Sequence, residues 1–136
     1  MAVNTRFATG VHALLLLAAE PDVLQTSEDV AQELNTNPVV VRRVFLQLQE
    51  AGLVKSTKGP SGGTRLARSP KEITLADAWR ALDGGDVFHT SQTSKNSSPL
   101  AQALKSAQKA LEKELAQTTL NQLAKKNAKK EKQDRH

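Results

Sequence analysis

The chain has no cysteine and no tyrosine among its 136 residues, and only one tryptophan and three phenylalanines. Without cysteine there are no disulfides, no thiolate metal sites and no thiol redox switch, a usage that fits a reducing cytosol. Scarce aromatics weigh against a single-strand RNA reader, which stacks bases on aromatic rings. The three histidines, His12, His89 and His136, have no mutual spacing of a metal site. With no nucleophile–base pair, metal cluster or cofactor loop, an enzyme finds no support. Long hydrophobic runs are missing too. "VHALLLLAAE" (Val11 to Glu20) follows Arg6 as the core of a secretion signal would, but it contains His12 and is far too short to span a bilayer. Its spacing suits a helix packed in the core of a cytoplasmic protein with no membrane partner.

What the chain does have is charge in separate blocks. Residues 1–98 hold ten basic and ten acidic side chains, whereas residues 125–136 ("KKNAKKEKQDRH") hold six basic and two acidic ones. Within the neutral body, residues 42–71 contain Arg42, Arg43, Lys55, Lys58, Arg65, Arg68 and Lys71 against Glu50 alone. A local basic patch on a neutral body points to a polyanionic partner more directly than overall charge does. The length predicts one small domain, which gains from burying further surface in an oligomer.

Capping residues and apolar spacing predict the elements. Asn4 or Thr5 caps a first helix to about Ala19, with Phe7, Val11, Leu14, Leu15 and Ala18 at helical spacing. Thr26 or Ser27 caps a second helix whose buried face is Val30, Ala31 and Leu34. After the turn "NTN" (35–37), Asn37 caps a third helix with Pro38 at its first position and Gly52 as its stop. Val41, Val44, Phe45 and Leu48 form its inner face, which puts Val39, Arg42, Arg43 and Leu46 outside. Arginines beside exposed apolar side chains suit an interface. "LVKST" and "TRLAR" then flank the Gly-rich tip "KGPSGG" as a hairpin. That tip lacks the P-loop pattern and follows the wrong element order for one.

Thr74 opens a fourth helix with Leu75, Ala78, Trp79 and Leu82 inward, and Asp83-Gly84-Gly85 stops it. Residues 86–98 are polar and without pattern. From near Pro99 a long helix carries the stripe Leu100, Leu104, Ala107, Leu111, Leu115 and Thr118, read as facing a partner. Thr119 and Gln122 form a further capping box for a short last helix.

Helix, three-residue turn, helix and basic hairpin is the order of a winged helix-turn-helix. The expected fold is mainly α with a small β-hairpin wing, plus a long C-terminal dimerisation helix. Its parts are 1–85 for DNA binding, 86–98 as a flexible loop, 99–124 for dimerisation and 125–136 as a disordered basic tail. The 38–51 helix would enter the major groove, where arginine suits guanine O6/N7 and Val39 suits a thymine methyl. The wing, with Lys58 at its tip, would meet the minor groove. Arg65 and Arg68, on the return strand, would lie nearer the backbone phosphates or be merely solvated.

The chain resembles the IscR/NsrR-like (Rrf-type) family of bacterial winged-helix regulators. The likeness rests on "GVHALLLLA", "VVVRRVFLQLQEAGLVKSTKGPSGG" and "ITLADAWRALDGGD", with "AGLV…KGPSGG" the most specific part. It implies DNA contacts by Asn37, Val39, Val40, Arg42, Arg43 and the wing residues Lys58, Gly59, Pro60 and Ser61. It also implies a repressing homodimer on a palindromic operator, joined by the first helix and by Leu100, Leu104, Ala107, Leu111 and Leu115. Many members bind an iron–sulfur cluster through three cysteines after the fourth helix. Here that place reads "VFHTSQTSKNSS", so cluster and thiol sensing are excluded and no cofactor is expected. The signal would be a small molecule, a partner protein, or nothing. A winged-helix protein-interaction adaptor and an RNA-binding module are the rival classes.

Overall fold

Local caps decide where the helices begin, and the core decides which faces they bury. The computed structural model describes residues 5–82 and 98–126. Along them run α1 (Thr5–Ala19), α2 (Ser27–Leu34), α3 (Pro38–Glu50), β1 (Val54–Thr57), β2 (Gly63–Leu66), a 3-10 turn at Pro70–Glu72, α4 (Leu75–Leu82) and α5 (Pro99–Leu115). The fold is mainly helical with one two-stranded antiparallel hairpin, as the sequence predicts. Asn4, the stop at 83–85, the 86–98 loop through residue 97 and the tail from 127 onward lie outside the described residues.

The helix–turn–helix is fixed by short-range chemistry. The Thr26 hydroxyl accepts from the Asp29 N–H at 3.0 Å, and the Asp29 carboxylate accepts from the Thr26 N–H at 3.3 Å. This capping box is worth about 1 kcal/mol to α2. Asn35, at φ 54°, ends α2 in the left-handed region. Asn37 then caps α3 by accepting the Val39 N–H at 2.8 Å. At the far end of α3, the Gly52 N–H reaches the Gln49 carbonyl and the Leu53 N–H reaches the Leu48 carbonyl, both at 2.9 Å. That pair of bonds is a Schellman stop, and it turns the chain into β1.

The inner face of α3 is the predicted one: Val41, Val44, Phe45 and Leu48 are buried against Leu14 and Leu17 of α1, Val30 and Ala31 of α2, and Leu82 of α4. α1 is rotated from the expected face. Gly10, Ala13, Leu14 and Leu17 are its buried residues, whereas Phe7, Val11, Leu15 and Ala18 are only half-buried. The cause is α4. A Cβ at Gly10 would overlap the Leu82 side chain, so the small-residue side of α1 takes the close crossing. Trp79 is buried beside it, edge-on to Phe7 with ring centroids 5.3 Å apart.

The C-terminal region returns onto this body. α5 starts at Pro99 behind the Ser98 cap but ends at Leu115, so Thr118 does not continue the helical stripe. Instead Thr118 to Leu120 lie antiparallel to Ile73 to Leu75. The Leu75 N–H donates to the Thr118 carbonyl and the Leu120 N–H to the Ile73 carbonyl, each at 2.9 Å. The chain is helical again from 120 to 126, behind a Thr119–Gln122 capping box. Leu120 is fully buried in the main core.

Candidate nucleic-acid interface

α3 exposes what its inner face leaves over. Val39 and Leu46 are 46% and 60% exposed, and Val40, Arg42 and Arg43 are exposed beside them. Asn37 is also exposed, but its side-chain oxygen is engaged in the cap, which leaves only its amide NH2 to donate outward. The two arginines are held differently. Arg42 Nη2 lies 2.6 Å from Glu28 Oε1 on the first turn of α2. The hydrogen bond from Arg42 holds the Glu28 carboxyl below its ordinary range. Arg43 has no carboxylate partner among the described residues.

The hairpin supplies the second part. Its register pairs Val54 with Leu66, Lys55 with Arg65, Ser56 with Thr64, and Thr57 with Gly63. Lys58, Gly59, Pro60 and Ser61 form an exposed tip. The Gly62 N–H donates to the Gly59 carbonyl at 3.0 Å, closing a turn with Pro60 and Ser61 at its centre. Gly59 has φ 110°, a region that side chains rarely adopt, and a Cβ at Gly62 would overlap the Thr57 carbonyl. The glycines thus keep the tip thin and tightly folded. They are structural, and the cations around them carry the charge.

A third backbone segment secures the hairpin. Gln25 and Thr64 exchange backbone hydrogen bonds of 3.0 and 2.8 Å, and the Gln25 side chain donates to the Leu16 carbonyl at 3.0 Å. The α1–α2 link therefore ties the wing to the helices. A bridge of one residue pair has no periodicity to announce it.

The strand alternation sorts the hairpin side chains onto two faces. Buried Thr64 and its hydroxyl partner Ser56, 3.2 Å apart, look toward α3. Between them and the outer face of α3 runs a cleft of about 230 Å³, floored by Phe45 and rimmed by Ser27, Arg42, Leu46, Gln49, Ser56 and Thr64. The structure thus brings Arg42 and Leu46 to the base of the wing. It does not bring Arg65 there. Arg65 stands on the opposite hairpin face, directly across from Lys55. Strand alternation puts Lys55 and Arg65 at the same depth of the hairpin, so that face carries two cations side by side.

On α5, only Ala101 is buried. Leu100 is 62% exposed, Ala107 is exposed, and Leu104, Leu111 and Leu115 are half-buried. Among the described residues, no helix is long and apolar enough to cross a membrane.

The arrangement has known counterparts. A family model described as "Rrf2: Iron-dependent Transcriptional regulator" matches residues 3–126. YwnA of Bacillus subtilis (strain 168), which carries the name of an HTH-type transcriptional regulator, is 32% identical over 127 residues, covering 87% of this chain and 93% of its own. Among solved structures, T. potens IscR superposes with a TM-score of 0.75 at 26% identity, over 93% of this chain and 88% of that one. CymR (YrzC), the global cysteine regulator of B. subtilis, gives 0.68 at 25% identity, over 92% and 97%. The iron in the family description raises the question of ligands. A cluster held by cysteine thiolates does not fit a chain that has no cysteine. The family's relatives are transcriptional regulators and not enzymes, and the match extends from the first helix to beyond α5. The chain belongs to the Rrf2 family and is a DNA-binding transcriptional regulator.

Proposed function

We propose that the protein acts as a homodimeric repressor on a palindromic operator, with α3 in the major groove and the wing over residues 58–63 at the adjacent minor groove. The observation that carries this reading is the shared face: the exposed side of α3 and the hairpin meet across one cleft rimmed by Arg42, Leu46, Gln49 and Ser56. In a duplex, the sugar–phosphate strand between the two grooves would run along that cleft. Arg42 and Arg43 would then address guanine edges, Val39 and Val40 thymine methyls, and the Asn37 amide a phosphate. Lys58 sits at a tip thin enough for the narrow groove, whose negative potential favours a cation. Lys55 and Arg65, on the other hairpin face, would serve backbone phosphates.

Two half-buried apolar strips support the homodimer. One is Phe7, Val11 and Leu15 on α1; the other is Leu104, Leu111 and Leu115 on α5, continued by exposed Leu100 and Ala107. The functional division is then 1–85 for DNA, 86–98 as the link, 99–124 for dimerisation and 125–136 as a basic tail adding nonspecific affinity. Repression is taken from the family resemblance and a cytoplasmic setting from the absence of cysteine, and the signal would be a small molecule, a partner protein, or nothing. The test is selection of bound duplexes from a random library with the purified protein. An enriched palindrome is the expected result. Enrichment of a single unrepeated site would overturn the dimer, and no enrichment would overturn sequence-specific binding.

A further inference from the structure

Glu28 lies in the first turn of α2, where its negative charge suits the helix dipole, and it also reaches outside its own helix. The α2 capping box is complete without it, through Thr26 and Asp29. Its carboxylate reaches across to α3 and takes one N–H of Arg42, at 2.6 Å, on the rim of the cleft between α3 and the wing. Both side chains remain more than half exposed. A guanidinium has five donors in a rigid plane, and a contact to one carboxylate oxygen uses only one of them. A two-donor fork stays open while the side chain is held still. Neighbouring Arg43 has no such anchor among the described residues.

We propose that Glu28 is the positioning residue of Arg42 and sets the protein's preference for its operator over other DNA. The inference rests on the reading that α3 enters the major groove. Held by Glu28, the Arg42 fork meets a guanine edge without first losing its side-chain freedom, and the ion pair is kept in the operator complex. The same carboxylate neutralises Arg42, so at non-operator sequence the arginine gains little from a phosphate. An exposed ion pair is weak, equivalent to about two- to fivefold in an equilibrium constant. One phosphate contact is worth a similar factor at physiological salt. The pair therefore offsets most of a phosphate contact, whereas a bidentate guanine contact is several times stronger. One carboxylate thus acts in opposite directions on the two kinds of DNA.

The experiment compares the full-length protein with its Glu28→Gln, Arg42→Ala and doubly substituted forms. Anisotropy titrations over a salt series use a duplex enriched by selection and a scrambled duplex of equal composition. Glu28→Gln is expected to weaken the selected duplex about two- to fivefold and to tighten the scrambled one by a similar factor. The scrambled duplex should also show a salt slope steeper by up to about one unit, since one more cation becomes available to phosphate. In the Arg42→Ala background, Glu28→Gln should change neither duplex. Shifts of the same sign on both duplexes would overturn the proposal, since a loss of folded protein or a simple repulsion behaves that way. Effects that persist without Arg42 would also overturn it, by showing that Glu28 acts on DNA directly. Should the unsubstituted protein bind selected and scrambled duplexes equally, the fault lies with the DNA-reading assignment of α3 and not with Glu28.

Discussion

Lys55 and Arg65 face each other directly across the hairpin ladder, two like charges in one cross-strand pair on an exposed face. Directly opposed like charges destabilise a sheet by a few tenths of a kcal/mol up to about 1 kcal/mol. A hairpin this short tolerates them at a cost to its own stability, and a polyanion laid along that face would relieve it.

Replacing one member separates the two effects. Lys55→Thr should raise the melting temperature slightly, by the equivalent of about 0.2–1 kcal/mol, because it removes the repulsion and adds a good strand former. The same change should weaken DNA binding and lower its salt slope by about one unit. Thermal melting and a salt-series titration on one protein preparation check both signs. A variant that is stabilised with an unchanged salt slope would take Lys55 out of the interface.

The wing tip depends on a contact that no side chain can share. A Cβ at Gly62 would overlap the Thr57 carbonyl, so Gly62→Ala must displace the turn closed by the Gly59–Gly62 hydrogen bond. We expect a loss of about 1–3 kcal/mol in stability and weaker duplex binding, with the helices intact by circular dichroism. Full stability in urea melts would show that the turn relaxes freely and that Gly62 is not required.

The C-terminal return is part of the domain's core. Leu120 is fully buried, and its N–H bonds to Ile73. Leu120→Ala should cost about 2–5 kcal/mol, as for other fully buried leucines, although it lies far along the chain from the DNA-facing elements. Chemical denaturation measures this; a cost well under 1 kcal/mol would mean that the segment docks only loosely.

Half-buried Leu111 belongs to the α5 strip assigned to the partner chain. Leu111→Asp should give monomers by light scattering, and the lost dimer should weaken operator binding far more than binding to a half-site. A variant that remains dimeric would move the interface away from α5.

The caps at Thr26, Asn37 and Thr74 were legible because each works within three residues of itself. The inner and outer faces of α3 were legible because a helix repeats its burial every turn. The features that escaped are single contacts between distant parts of the chain. Gln25 meets Thr64 and Thr74 meets Thr119 through one bridge each, which leaves no pattern in the residues. The rotation of α1 followed from Gly10 meeting Leu82, a fit that depends on where α4 lands. The hold of Glu28 on Arg42 is of the same kind: both residues were visible as charges, but their pairing requires the α2–α3 angle.

Dimethyl sulfate interference on the selected duplex tests the groove assignment most directly, because the reagent marks guanine N7 in the major groove and adenine N3 in the minor groove. The account predicts interference at guanine N7 within each half-site, relaxed at one position by Arg43→Ala, and interference at adenine N3 just beyond it, lost in Lys58→Ala. Interference confined to one groove, or a pattern that neither substitution alters, would contradict the placement of α3 and the wing.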